Sequence, residues 1–427
     1  MSKRILIVTY GFPPSNTIPV HRVLRLSKWL PRYGWEPTIL TVKTRFAHPS
    51  FYGNQDKDLN SLVLKGLNVH RASSFEHVNH AFFGKVQARI MELVAIPDPY
   101  VTWLPGALRT GKKIIDERGI DVVLTTLGPN STALIGYFLK KQRSTKWVMD
   151  YRDPWCFNPF KQLRPIRFSI EKRIEDLMLS HSDANVTTSR LITETYCEHY
   201  PELADRFSTI TNCFDRELQF IDDQSNTESS SNHKFRIIHA GSFYTKRRPT
   251  SFLKALVSLA NRHPAIRDNI EILFVGALSV NFQNEILATV RNESLDCQML
   301  GPVPYRESMR LISSSDLLLA INGDEDRDNV FIPGKLFDYI AANRPILLLG
   351  QRGAASEIVE RGNLGAVRKH EDIEGIGAAI LDFYHRWERS LPYEPNVPYI
   401  NRYHASTTAR QLAEVLNSVV RPGMDSK

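Results

Sequence analysis

Two short stretches hold side chains whose types and spacing could do chemistry. The first is Pro333-Gly334-Lys335-Leu336-Phe337-Asp338. Pro333-Gly334 is a turn signal, and the apolar positions Leu336, Phe337, Tyr339 and Ile340 predict a helix over residues 335–342. The first amides of a helix have no partner within it and lie at the positive end of its dipole. Gly334 and Lys335 therefore sit where an anion, most often a phosphate, can be held. Asp338, one turn later, could accept hydrogen bonds from sugar hydroxyls. Phosphate on the turn and hydroxyls on the carboxylate together describe a nucleoside diphosphate; an ordinary helix cap ahead of a core strand is the alternative. The second stretch is Asp150-Tyr151-Arg152-Asp153-Pro154-Trp155. Two carboxylates and an arginine leave the end of a buried strand, where ligands bind in open α/β sheets. An arginine can hold phosphate bidentately and a carboxylate can orient a hydroxyl. A structural Arg–Asp pair beneath the loop is the competing account.

The elements that must position these groups are legible in outline. Asn343-Arg344-Pro345 stops the first helix, and residues 346–349 are a continuous apolar run, as in a strand buried on both faces. At the start of the chain, a strand over 4–9, a Gly/Pro break, a helix over 20–30 and a strand over 38–42 make a βαβ unit. No GxGxxG follows the first strand, so the dinucleotide fingerprint fails. Gly11 would let a phosphate or a second substrate approach the backbone, or is a plain turn glycine. Strands over 121–126, 147–150, 184–188 and 208–211 alternate with helices over 131–141, 168–179 and 191–199. Residues 222–233 are polar, with four serines and no large apolar side chain, and read as a linker.

A second domain opens with a strand over 236–240, then Gly241, the basic run Lys246-Arg247-Arg248 and a helix over 250–261. Strands over 270–276, 316–320 and 366–367 and helices over 282–291, 354–361 and 372–384 follow. The proline-rich residues 391–398 form a crossover to a last helix over 407–420, and 421–427 fray. The expected division is residues 1–221, a linker at 222–234, residues 235–395, and a crossover with C-terminal helix at 396–427. Residues 82–95, with Lys85 and Arg89, read as an amphipathic helix beside the proline-broken aromatic loop 97–105. That pair is either core or a membrane-surface patch.

At 427 residues the chain is long enough for two domains, and 42% hydrophobic with 23% charged residues is a globular composition. The net charge of +8 is one-sided: residues 1–220 carry 30 Lys and Arg against 21 Asp and Glu, the remainder 24 against 25. A basic first half suggests an acidic partner such as anionic lipid or a phosphorylated acceptor, or else serves solubility. Nucleic acid is not expected, because there is no zinc spacing, RNP-type aromatic motif or long basic run. Cys156, Cys197, Cys213 and Cys297 form no CxxC pair and read as reduced thiols of a cytosolic protein. The first apolar run, about five residues, is too short for a signal peptide or a membrane span.

A resemblance adds to this reading. PGKLFDYIAANRPIL is similar to the PSKLFEYLAAGKPIL-type segment of family 4 glycosyltransferases of the GT-B fold, and DYRDPW resembles the DFRDPW segment of one sub-group. Two weaker matches lie in the expected order: Phe12-Pro13-Pro14 with Arg22 and Gly34-Trp35, and the strand, glycine and basic loop at 236–248. The resemblance implies two doubly wound, Rossmann-like α/β domains facing across a cleft, with a C-terminal helix crossing back to the first.

It implies that Gly334, Lys335 and Leu336 hold the donor diphosphate and that Asp338 holds the ribose. Gly241 and Arg247 (or Lys246 or Arg248) would face the diphosphate, the backbone around Val303 would border the base, and Gly11 would lie by the donor. Asp150, Arg152 and Asp153 would form, as a group, the reacting end. Departures from the pattern are Val330 in place of a second glutamate, Asp338 one methylene shorter than the usual glutamate, Ser242 in place of an arginine, and Asn16-Thr17-Ile18 in place of glycines.

The implied activity is retaining transfer of a sugar from a UDP- or GDP-sugar to a hydroxyl acceptor, including lipid-linked ones. The implied setting is bacterial cell-surface or exopolysaccharide synthesis in the cytoplasm, at the inner face of the plasma membrane, with no cofactor or metal required. The DxD spacing of Asp324 and Asp326 would suit a metal in single-nucleotide-domain transferases, but the two-domain pattern argues against it. A sugar-nucleotide epimerase of GT-B type and a non-catalytic nucleotide-binding protein are the rival readings.

Overall fold

The β-branched and leucine-rich runs form two parallel sheets, one in each of two compact units. The computed structural model describes residues 2–52, 55–74, 95–161, 163–221, 234–243 and 247–420. The expected linker (all but Lys234), the amphipathic helix over 82–95 (all but Ala95), Lys246 and residues 421–427 lie outside the described residues. One unit comprises Met1–Cys213 and Ala405–Lys427, the other Phe214–His404.

The first unit is built on β1 (Lys3–Val8), α1 (Ile18–Trp29), β2 (Trp35–Val42), β3 (Asn68–Ala72), α2 (Leu104–Arg118), β4 (Val122–Thr126), α3 (Ser131–Arg143), β5 (Lys146–Tyr151), α4 (Pro165–His181), β6 (Ala184–Thr187), α5 (Arg190–His199) and β7 (Phe207–Thr209). Its seven strands run in the order β3-β2-β1-β4-β5-β6-β7. All neighbours are parallel, as βαβ crossovers require, and the order reverses between β1 and β4. The last helix, α12 (Ala405–Val420), belongs to this unit. Its Ala409, Leu412, Ala413 and Leu416 are buried with Val20, Val23 and Leu24 of α1, and Lys3 Nζ donates to Asn417 Oδ1 at 2.7 Å. Each buried leucine contributes about 1.5–3 kcal/mol.

The second unit holds β8 (Phe235–Ala240), α6 (Thr250–Arg262), β9 (Ile270–Val275), α7 (Val280–Glu293), β10 (Asp296–Gly301), α8 (Tyr305–Ser313), β11 (Leu317–Ile321), α9 (Lys335–Ala342), β12 (Ile346–Leu349), α10 (Ala354–Arg361), β13 (Gly365–Arg368) and α11 (Ile373–Glu388). Its parallel sheet runs β10-β9-β8-β11-β12-β13, with the reversal between β8 and β11. The ends of β8 and β11 therefore border the crevice where doubly wound sheets bind ligands.

Two of the longer helices go beyond what the sequence predicts. Over 97–105 the prolines predict a loop, but Pro105 falls in the first turn of α2, where a missing N–H costs nothing. The aromatics of that stretch pack inward: Tyr10 meets Tyr100 at 4.8 Å and Trp103 at 5.5 Å, and Trp103 is fully buried. Helix α8 also lies where the sequence analysis places no element, although Tyr305, Met309 and Ile312 have helical spacing and are buried. The acidic run closes into a 3-10 turn, Asp326–Val330, in which buried Asp328 Oδ2 accepts from the Glu325 amide at 3.2 Å and Glu325 pairs with Arg327. Among the described residues, no helix is long and apolar enough to cross a membrane.

Candidate functional site

In the second unit the site grows from the carboxyl end of β8. His239, the penultimate residue of that strand, is buried. Its Nδ1 lies 3.0 Å from the Leu319 carbonyl, so Nδ1 carries the proton and Nε2 is the acceptor. The Lys335 ammonium, from the first residue of α9, donates to Nε2 at 3.0 Å. Phe243 stacks on the imidazole with centroids 4.4 Å apart, closing its apolar side. Burial, and secondly the Lys335 charge, hold His239 well below the usual histidine range. Tyr339, one turn along α9, accepts from the Ala240 amide at 3.0 Å and donates to the Leu319 carbonyl at 3.1 Å. Strand β8, strand β11 and helix α9 are thus tied together around the lysine.

Gly241 is glycine for two reasons. Its φ is +122°, a region L side chains rarely adopt, and a Cβ there would lie 2.9 Å from Lys335 Nζ. The ammonium therefore rests over bare backbone at the sheet reversal. Burial, reinforced by the neighbouring Arg247 and opposed by Asp338, pushes Lys335 down to about 7. Two cations and the α9 N-terminus converge here, and a bound polyanion would relieve their mutual repulsion. The helix is set by its ends: Pro333-Gly334 opens it, and Asn343, left-handed at φ 56°, closes it ahead of Pro345.

Asp338 stands half-buried on the same helix. Its Oδ1 accepts from Gln219 Nε2 at 2.6 Å and from the Tyr305 hydroxyl at 2.9 Å. Gln219 is itself fixed, because its Oε1 accepts from the Asp215 amide at 2.8 Å. Leu336 is fully buried, leaving only its backbone to the site, and its amide donates to the Pro333 carbonyl at 3.0 Å. Val303 is half-buried in the turn between β10 and α8. His239, Tyr305 and Gln219 were not singled out in the sequence. Tyr305 had the helical spacing of α8 to signal it; His239 and Gln219 had no signal.

In the first unit the three residues of the Asp150–Trp155 stretch separate. Asp150, at the end of β5, is buried in a two-pronged pair with Arg22 of α1, at 2.9 and 3.0 Å. Arg22 also donates to the carbonyls of Thr211, at 2.7 Å, and Ile210, at 3.0 Å. Arg152 turns back under the loop to the carbonyls of Leu127, at 2.6 Å, and Gly128, and burial lowers it to about 10. Only Asp153 is exposed.

Asp153 lines a cavity of about 320 Å³ with Gly128, Pro129, Asn130, Asn158 and Asp98, at the carboxyl ends of β4 and β5. Asp98 accepts from the Ser131 amide, at 2.9 Å, and the Tyr100 amide, at 3.2 Å, at the start of α3, and burial pushes its pKa up. Lys161 and Arg167 complete the cavity wall and share the buried Glu171. Gly11 is packed within the β1 loop, where a Cβ would lie 3.1 Å from Phe51 and 3.3 Å from Thr17 Oγ1.

Solved structures share this architecture. A glycosyltransferase from Rickettsia africae ESF-5 aligns over 99% of this chain and 100% of its own, with a TM-score of 0.65 and 15% identity. The chain has the GT-B fold. Anabaena HepE, solved with UDP, covers 97% of this chain and 100% of its own, with a TM-score of 0.64 and 13% identity. WaaG, a glycosyltransferase involved in lipopolysaccharide biosynthesis, covers 97% and 98% of the two chains, with a TM-score of 0.55 and 13% identity. No family model and no curated protein matches the sequence.

Proposed function

We propose that the chain is a glycosyltransferase of the family 4 type, which moves a sugar from a UDP- or GDP-sugar to a hydroxyl acceptor with retention at the anomeric carbon. The observation that carries the proposal is the Lys335 ammonium, seated on His239 over Gly241 at the start of α9 with Arg247 beside it. A nucleoside diphosphate places two phosphoryl groups on such a cationic turn and its ribose one turn along, at Asp338. As the sugar leaves, charge grows on the diphosphate. Fixed cations and first-turn amides stabilise that charge, and this chain's residues supply them. The solved complexes of Anabaena HepE with UDP-glucose and with UDP support a uridine donor.

The acceptor side is assigned to Asp153 and the cavity beside it, with Asp150 and Arg152 holding the loop in place. The acceptor is a hydroxyl compound, lipid-linked, of bacterial surface or exopolysaccharide synthesis, met at the inner face of the membrane. In this reading the unit of Met1–Cys213 with the C-terminal helix takes the acceptor, and the unit Phe214–His404 takes the donor. The test is incubation with single nucleotide sugars and a lipid-linked acceptor extract, with NMR of the product anomer. Acceptor-dependent release of the nucleoside diphosphate with a retained anomer supports the proposal. Sugar-nucleotide conversion without acceptor would favour an epimerase, and binding without turnover a non-catalytic protein.

A further inference from the structure

Helix α4 buries Met178 and Leu179 but also two glutamates, and it leaves an apolar stripe exposed. Its inner face carries Glu171 and Glu175, both fully buried. Glu171 accepts from Trp155 Nε1 at 2.9 Å and pairs with Lys161 and Arg167. Glu175 accepts from the Tyr196 hydroxyl at 2.6 Å and the Cys156 amide at 3.1 Å. The inward positions thus anchor the loop that follows Asp153. The outward positions carry what a helix normally buries: Ile166, Ile170 and Leu177 are 79%, 38% and 42% exposed. Their spacing of four and seven residues puts them on one stripe. Phe168 and, just before the helix, Phe160 are exposed as well, and Arg164 and Arg173 are exposed around the stripe. The helix has one other acidic residue, Asp176, and it is bound to Lys172 at 2.6 Å. Among the described residues of α4, the outward face presents apolar and basic side chains, and its one partly exposed carboxylate, Asp176, is held by Lys172.

We infer that this face of α4 docks on an anionic lipid surface. Isoleucine and leucine side chains on a helix roughly 25 Å long enter the boundary between headgroups and acyl chains, while the arginines meet lipid phosphates. The charge is complementary, since residues 1–220 carry the chain's entire basic excess. Lys161 and Arg167, the partners of the α4 glutamate, also line the cavity with Asp153, so the docking helix adjoins that cavity. This deepens the reading of a lipid-linked acceptor and rests on it, but the surface can be tested without turnover.

The experiment is vesicle co-sedimentation of the full chain, with phosphatidylcholine alone and with added phosphatidylglycerol. Binding is expected to require phosphatidylglycerol and to weaken with salt. The triple variant Ile166→Ser, Ile170→Ser, Leu177→Ser should lose about tenfold or more in partitioning while keeping any UDP-induced thermal shift of the parent. Arg164→Ser with Arg173→Ser should lose the phosphatidylglycerol dependence. No partitioning of the parent at low salt, or equal partitioning of the triple variant, overturns the inference. So does a triple variant that changes from dimer to monomer, which would make a second copy the occupant. Vesicle binding by a chain that fails to bind nucleotide would leave the surface standing and remove the transferase reading.

Discussion

The Lys335 ammonium donates to Nε2 of His239 at 3.0 Å, while the other ring nitrogen of His239 is committed to the Leu319 carbonyl. A buried, neutral histidine thus serves as the seat of a lysine whose own pKa falls to about 7. Burial disfavours the charge, Arg247 repels it, and the His239 nitrogen to which it donates is uncharged.

Proton uptake on nucleotide binding follows from that arrangement. A diphosphate favours the charged lysine and raises its pKa in the complex. Uptake should be small below pH 6, grow through pH 7, and approach one proton at Lys335 by about pH 8. Calorimetry in buffers of different ionisation enthalpy reads it directly, and Lys335→Met should abolish it. His239→Phe, which keeps the stack on Phe243 but removes the acceptor, should weaken binding by about 1 kcal/mol. The empty protein carries the opposite sign. The lysine's folded pKa lies below its unfolded value, so its stability contribution rises as pH climbs from 7 toward 10.

Arg247→Ala tests the departure of the diphosphate. If Arg247 stabilises charge that develops in the transition state, turnover falls by about 2–4 kcal/mol of barrier. Donor KM should change much less. Near-parental turnover would remove Arg247 from that role.

Asp150 and Asp153 should part company under mutation. Removing one partner of a buried, hydrogen-bonded ion pair leaves the other charge stranded, so Asp150→Ala should cost about 3–5 kcal/mol of stability in the first unit. Asp153→Ala, on an exposed carboxylate, should leave melting within about 0.5 kcal/mol and lower kcat/KM for the acceptor. Thermal unfolding of both variants beside steady-state kinetics separates positioning from contact with substrate.

The sequence made strands and the α9 turn legible because their signals are local: apolar runs, Pro-Gly before a helix, Asn and Pro after it. The motif at 150–155 located a loop beside a cavity, but it could not say which carboxylate faces out. That choice depends on Arg22, more than a hundred residues earlier, entering from α1. Tyr305 was readable from helical spacing. His239 and Gln219 were not, since a histidine in an apolar strand and a glutamine after a turn acquire meaning only from what the fold packs against them. Helix α4 was legible as a helix over 168–179, but not which way it faces: it buries Glu171 and Glu175 with Met178 and Leu179 and leaves Ile166, Ile170 and Leu177 exposed.

Asp338 should read the ribose. Hydrogen bonds to a charged group are worth about 1.5–3 kcal/mol, so Asp338→Asn should weaken UDP binding by about tenfold or more. The same variant should distinguish UDP from 2′-deoxy-UDP less than the parent does. Tyr305→Phe, which removes one donor from the carboxylate, should have a smaller effect of the same sign. Equal discrimination by parent and Asp338→Asn would place the ribose elsewhere.

The most direct test is calorimetric titration of UDP and GDP into the parent and Lys335→Met, with EDTA present. The account predicts that one of the two nucleotides binds the parent without added metal, and that the variant binds it about tenfold or more weakly. Binding of neither nucleotide, or equal binding by both proteins, would contradict a diphosphate site built on Gly241, His239 and Lys335.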